Sequence, residues 1–420
     1  MEANHPLGAT FASKSPQQFF EIAQADGPAM LNILYLVHDL CDPAVRRRVT
    51  MLQTGGAAVT LAGFRRAETV PDFEDLSPID LGVTADRAFA QRVAAVAKAA
   101  FSLGARLGTI PKPDIIIGRN LEMLALANRA RSIFGGSAPI VYECLDIHRF
   151  LLDTGAVGRT LRGAERLFSR DAQLLLTSSP AFVRDYFEAF GQTRAPAVLL
   201  QNKMLDLSGK PAQPAKLPAP PANGQPWRIG WFGALRCAKS LKLLADFTRR
   251  MQGRFEVLLR GRPARVEFDD FDGFVRAEPH LSFQGAYRNP DDLAAIYGEV
   301  HFCWAIDFFE EGLNSSWLLP NRLYEGCRFG AVPIAMKGTE TARFLADRHI
   351  GLLLDEPSVE NLSALVGDID TDTYLERRGK ITAQDLGTWI CVPDDCRSLV
   401  TRLGRLAGKE QQDILLGVAA

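Results

Sequence analysis

Short apolar runs of strand length alternate with longer stretches of helical character along nearly the whole chain, and this alternation restricts the fold more than any other feature. In the first half the runs cover 33–37, 58–63, 114–118, 140–144, 174–178 and 197–201. In the second half they cover 228–232, 255–259, 281–284, 300–305, 332–336 and 351–354. A strand that is apolar throughout is buried on both faces, as happens when helices cover a parallel sheet. The pattern predicts an α/β chain of two Rossmann-like, doubly wound parallel-sheet domains. Ligands of such sheets sit outside the carboxyl ends of the strands, so two facing sheets share one cleft.

Between Leu205 and Trp227 lie six prolines (Pro211, Pro214, Pro218, Pro220, Pro221 and Pro226), which favour an extended connector. A chain of 420 residues also exceeds the roughly 250 to 300 at which single cores stop growing. The expected division is an N-terminal extension over 1–28, a first domain over 29–205, a Pro/Ala-rich linker over 206–226 and a second domain over 227–395. Residues 396–420 are expected to form a C-terminal helix that packs back on the first domain. A net charge of −1 gives no global field for nucleic acid. The seven cysteines are scattered without a C-x-x-C pair, so they read as reduced core residues, and no metal site is expected. Lacking an apolar run long enough to span a bilayer and a leader-like start, the chain is expected in the cytoplasm.

Residues 314–336, NSSWLLPNRLYEGCRFGAVPIAM, place a carboxylate beside a helix start at a strand edge. Pro320 suits the first helical position and Gly330 the end, with Asn321, Arg322 and Glu325 in the first two turns. One carboxylate accepts hydrogen bonds from both hydroxyls of a ribose, while helix-start amides attract a diphosphate. The second half opens with a strand ending at Gly233, a loop with Arg236 and Lys239, and a helix from Ser240, which gives two cations at a helix start. The same segment reads G-x-x-x-x-A-K-S, a near P-loop, but Ala238 stands where the wrapping loop needs glycine. Gly338 and the N-cap candidate Thr339 form a second anion site after the strand ending at Met336. Tyr287 sits at a strand end, where a nucleobase edge can be read. In the first half His38 and Asp39 precede a helix capped by Asp42 and Pro43. Arg46, Arg47 and Arg48 spread over its faces as a mainly solvated group, with Arg46 an acceptor-side candidate. Glu143, Asp146 and His148 end the strand 140–144 at the same mouth, where carboxylate and imidazole together supply a base. The Ala-rich segment 87–106, with Arg92 and Lys98, reads as a packed helix that can also face a membrane.

Over most of 31–356 the chain resembles GT-B glycosyltransferases of family 4, the group 1 transferases of bacterial polysaccharide assembly, and among them the succinoglycan-type exopolysaccharide enzymes. The resemblance rests on HDLCDPAVRRRV, PDIIIGRNLEMLALA, IGWFGALR and LLPNRLYEGCRFGAVPIA. It implies a hexosyltransferase that moves a sugar from a UDP- or GDP-sugar to a lipid-linked oligosaccharide at the inner membrane face, with retention and without metal or cofactor. Glu325 then corresponds to the second glutamate of an E-x7-E motif and holds ribose, and Arg236 and Lys239 correspond to the phosphate-binding pair. The first glutamate falls on Trp317, a departure from the motif. A nucleotide-sugar epimerase and a non-catalytic partner subunit are the alternatives on the same architecture.

Overall fold

The computed structural model describes residues 30–66, 73, 76–84, 89–208 and 216–409, so the expected N-terminal extension lies outside the described residues. The first half holds β1 (Leu31–Val37), β2 (Ala57–Arg65), β3 (Ile79–Val83), β4 (Ile115–Arg119), β5 (Ile140–Cys144), β6 (Ala172–Thr177) and β7 (Ala197–Leu199). They form one sheet in the order β3-β2-β1-β4-β5-β6-β7. After β8 (Met204–Leu205) the second half holds β9 (Trp227–Leu235), β10 (Phe255–Pro263), β11 (Leu281–Phe283), β12 (Phe302–Trp304), β13 (Val332–Met336) and β14 (Leu352–Leu354), ordered β11-β10-β9-β12-β13-β14. Every pair within both sheets is parallel. In each the order reverses beside the opening strand, at β1/β4 and β9/β12, which opens the crevice where ligands of such sheets bind.

Burial explains why these segments are strands. All five residues of β4 and of β5 are buried, so each must place apolar side chains against helices on both faces. Gly118 of β4 is dictated by helix contact, because a Cβ there would meet the Leu124 backbone at 3.0 Å. The edge strand β3 escapes the periodicity because only Leu81 of IDLGV is buried.

The described part of the connector is not a free spacer. Arg378 donates to Pro218 O, and His301 Nε2 lies 3.0 Å from Ala219 O, which fasten it to the second half. At the far end β15 (Ile390–Cys391) pairs with β8, and the helix Pro393–Leu406 sets Cys396, Leu399, Val400 and Leu403 into one apolar cluster with Leu31, Ile33 and Tyr35. The C-terminal helix is thus built into the first half's core; residues 410–420 lie outside the described residues.

Candidate active site

At the carboxyl end of β9 the strand runs on past Gly233 to Leu235, and the helix begins at Ala238, two residues earlier than its sequence suggests. Gly233 (φ +103°) pairs with Gly261 (φ +130°), where a Cβ on Gly261 would lie 2.0 Å from Gly233 O. Two glycines side by side therefore carry the ladder through a backbone that side chains would block. Only Arg236 and Cys237 separate strand from helix, too few to wrap a phosphate. Ser240 is buried and accepts from Trp304 Nε1 at 3.1 Å, which removes the P-loop reading.

Arg236 and Lys239 stand just beyond the carboxyl end of β9, but each already has an acidic partner. Arg236 Nη2 is 2.8 Å from Asp307 Oδ2, and Lys239 Nζ is 2.6 Å from Glu311 Oε2. Phe309 and Phe308 lie under the two cations at 4.7 and 4.5 Å. Burial would raise the Asp307 pKa, yet the charges of Arg322 and Arg236 hold it below the usual carboxylate range. The 307–311 segment thus supplies the carboxylate partner of both cations, a pairing that the sequence does not reveal.

Glu325 lies in a neighbouring cluster rather than in the same ion-pair group. Pro320 is the N-cap, one residue outside the helix Asn321–Arg328, and Asn321 is exposed. Glu325 is buried, accepting from Asn289 Nδ2 at 2.8 Å and from Tyr297 Oη at 3.2 Å. Burial pushes its pKa up, and those hydrogen bonds with the charges of Arg47 and Arg322 offset this only in part. Tyr287 stands beside it: its hydroxyl is 3.8 Å from where a Cβ on Gly233 would be, and burial, followed by the Glu325 charge, raises its pKa. Arg322 links the two clusters. It is 8% exposed, donates to Ile306 O at 2.8 Å, leaves its Nε without a partner, and acts electrostatically on both Asp307 and Glu325. Thr339 caps the helix Glu340–Ala346 through Ala342 N at 3.2 Å, with Gly338 at φ +82° before it. Asp307, Pro320 and Thr339 line one small hollow at the ends of β12 and β13.

In the first half the residues expected at the mouth divide. Glu143 is fully buried, bound to Arg48 at 2.5 Å and to Tyr35 Oη, with Arg119 3.7 Å away. Burial would raise its pKa, but Arg48 and Arg119 outweigh that and hold it low, so Glu143 is a core anchor. Arg48 is consequently buried, and Arg47 is half-buried with a bond to Lys203 O; the trio is not a solvated face. Arg46 alone of the three is exposed, with its guanidinium 4.8 Å from the Phe73 ring centre. Asp39 is buried in its own turn, accepting from Cys41 N at 2.9 Å and pairing with Arg66 at 3.4 Å. His38 lies 3.4 Å from Asn120, and burial together with Arg119, Arg66 and Arg92 lowers its pKa to about 3, so it is neutral.

Asp146 and His148 do reach the cleft, but they engage different partners rather than each other. His148 Nδ1 accepts from Phe150 N at 3.3 Å, and burial plus Arg92 lowers its pKa. Asp146 accepts from Asn314 of the second half. Its residue surface is exposed to the cleft, while the walls crowd the carboxylate enough that desolvation raises its pKa against the charges of Arg236 and His148. Beside it a cavity of about 360 Å³ is walled by Arg92, His148, Arg149 and Phe150 from the first half and Glu267, Phe309 and Glu310 from the second. A larger cavity of about 810 Å³ adjoins the helix Pro393–Leu406 and contains none of the candidate residues. Trp317, at the position of the missing glutamate, packs edge-on to Phe182 at 6.4 Å within the first half's apolar cluster. No carboxylate of the E-x7-E kind therefore reaches the cleft from position 317.

No protein-family model matches the chain. The succinoglycan biosynthesis protein ExoL of Rhizobium meliloti (strain 1021) is 58% identical over 390 residues, covering 92% of this chain and 96% of its own length. The chain belongs to the ExoL family. The fold recurs in sucrose-phosphate synthase (tll1590) from Thermosynechococcus elongatus, with TM-score 0.65, 12% identity, and 89% of this chain and 98% of that one covered. It recurs in WaaG, a glycosyltransferase involved in lipopolysaccharide biosynthesis, with TM-score 0.58, 13% identity, and coverage of 88% and 99%. Anabaena Alr3699/HepE, solved in complex with UDP and glucose, aligns with TM-score 0.56, 13% identity, and coverage of 90% and 97%. The family is thus that of a succinoglycan biosynthesis protein, and the two-sheet fold is the one that these solved structures share.

Proposed function

We propose that the cleft binds a UDP-sugar and transfers its sugar, with retention and without metal, to a saccharide carried on a lipid. The observation that carries this reading is the cation set at the carboxyl ends of β9 and β12: Arg236 and Lys239 held by exchangeable carboxylates, and buried Arg322, bonded to Ile306 O, with a spare N–H. An incoming diphosphate replaces Asp307 and Glu311 as their counter-ion. As the bond between the anomeric carbon and the phosphate oxygen breaks, its electron pair leaves with the diphosphate, toward these cations. The acceptor hydroxyl oxygen bonds to the anomeric carbon, and its proton passes to the departing phosphate oxygen. Asp146, facing Arg236 across the cleft, orients that hydroxyl. Glu325 takes the ribose hydroxyls, and Tyr287 borders the base. UDP is favoured as the nucleotide because the HepE neighbour was solved with it.

A panel of UDP-, GDP- and ADP-sugars tests the reading by nucleotide release, with EDTA expected to leave turnover unchanged. Arg236→Ala combined with Lys239→Ala is expected to abolish release. Absence of binding and hydrolysis across the whole panel refutes it.

A docking face for an anionic membrane accompanies the lipid-linked acceptor. Among the described residues no helix is long and apolar enough to cross a membrane. The helix Phe89–Leu107 has no acidic residue, carries exposed Lys98 and Arg106, and exposes Val93 (49%) and Phe101 (89%). Further along the chain, the helix Ala156–Phe168 exposes Val157, Leu167, Arg159 and Arg166. Basic side chains ringing exposed apolar ones suit an anionic lipid surface. Flotation with phosphatidylglycerol-containing vesicles is expected, with loss in Phe101→Asp; equal flotation with pure phosphatidylcholine contradicts the electrostatic part.

A further inference from the structure

The loop Asp146–His148 belongs to the first half, yet its geometry is dictated by one residue of the second. Asn314 opens the short helix Asn314–Trp317 and is 4% exposed. Its Nδ2 donates to Asp146 Oδ1, and its Oδ1 accepts from Ile147 N at 3.2 Å. A planar amide engaged by an acceptor at one end and a donor at the other has a single sensible orientation. The rest of the run ties the halves together: Ser179 Oγ donates to Trp317 O, and Asn202 Nδ2 donates to Leu319 O at 3.2 Å.

We propose that Asn314 is a positioning residue for transfer: its amide turns Asp146 into the cleft as a carboxylate and makes acceptor orientation depend on contact between the halves. The inference rests on the cleft being the transfer site. The groups facing Asp146 are Arg236 and Glu310 from the second half and His148 and Arg119 from the first. Arg236 and the Asn314 amide favour the ionised form; desolvation and Glu310 oppose it. A neutral Asp146 would spend its proton on one neighbour and lose its fixed acceptor geometry.

Two substitutions at one position give opposite pH signatures. In Asn314→Leu the ionised form loses a donor, so the Asp146 midpoint rises and activity needs a higher pH. In Asn314→Asp the two carboxyls share one proton, which preserves a donor to Asp146 at low pH. Activity then falls as pH rises and the shared proton leaves. The readouts are carbon-13 NMR titration of the Asp146 carboxyl, assigned with Asp146→Asn, and UDP release from UDP-glucose across pH. Asn314→Leu is expected to raise the NMR midpoint by about one unit and cut kcat at least tenfold at neutral pH, with UDP affinity within about twofold of the parent. An unchanged midpoint, or the same pH profile in both variants, overturns the proposal. Because the titration needs no turnover, an inactive parent counts against the transfer reading and leaves the positioning test standing.

Discussion

Replacing Glu325 by glutamine separates binding from folding more sharply than any other change. The side chain keeps its volume, so the contacts with Asn289 at 2.8 Å and Tyr297 at 3.2 Å need no repacking. What disappears is charge. Hydrogen bonds to a charged acceptor contribute about 1.5 to 3 kcal/mol, against about 0.5 to 1.5 for neutral ones. Two ribose hydroxyls therefore lose on the order of 3 kcal/mol together, which is roughly a hundredfold in Kd. Stability is expected to move the other way. Burial raises the Glu325 pKa in the folded chain, so folding favours the protonated form and the ionised form costs stability at pH values above the folded pKa. Glutamine removes that cost, and thermal unfolding near neutral pH should occur at an equal or higher temperature. The parent should also lose UDP affinity on acidification at a higher pH than an ordinary carboxylate would dictate, while Glu325→Gln should not show that step. Isothermal calorimetry with UDP from pH 5 to 8, beside thermal melts, measures all three. Affinity within threefold of the parent at pH 7.5 refutes the ribose assignment, and a large drop in melting temperature refutes the claim that this carboxylate is held against stability.

Glu143→Gln should lower unfolding free energy by about 3 kcal/mol, because Arg48 remains buried without its counter-charge while Arg119 keeps only Asp42. The Glu143 pKa is depressed in the fold, so the parent's advantage is present above the unfolded carboxyl pKa and fades as pH falls through the folded one; urea titrations at pH 7 and pH 3 check the convergence. Trp317→Glu restores the residue type of the family motif but sets a carboxylate against Phe182. It is expected to cost about 2 kcal/mol or more in stability and to gain no donor affinity, as melts and calorimetry will read. A gain in UDP-sugar affinity would show that position 317 can still reach the donor.

How far the site was readable depended on whether its physics is local. The strands at 140–144 and 332–336 coincide with β5 and β13 because continuous apolar runs demand two-sided burial. The caps Asp42 and Thr339 were legible because a side chain reaching an amide two or three residues on needs no tertiary information. Glu143 misled: in YEC it reads like a strand-end carboxylate, and only its neighbours across the sheet, Tyr35, Arg48 and Arg119, show it to be a core anchor. The arginine trio misled for the same reason, since helix position gives a direction but not what lies there.

Sequence alone determined the two parallel sheets, their order of appearance and the Thr339 cap, and it set the helix starts beside Arg236 and Arg322 to within two residues, because periodicity and capping act over a few residues. Tertiary structure alone decided the pairings across long separations: Arg236 with Asp307, Lys239 with Glu311, and Asp146 with Asn314. Those pairs are 71, 72 and 168 residues apart, and nothing in local propensity encodes which carboxylate meets which cation once the chain has closed on itself.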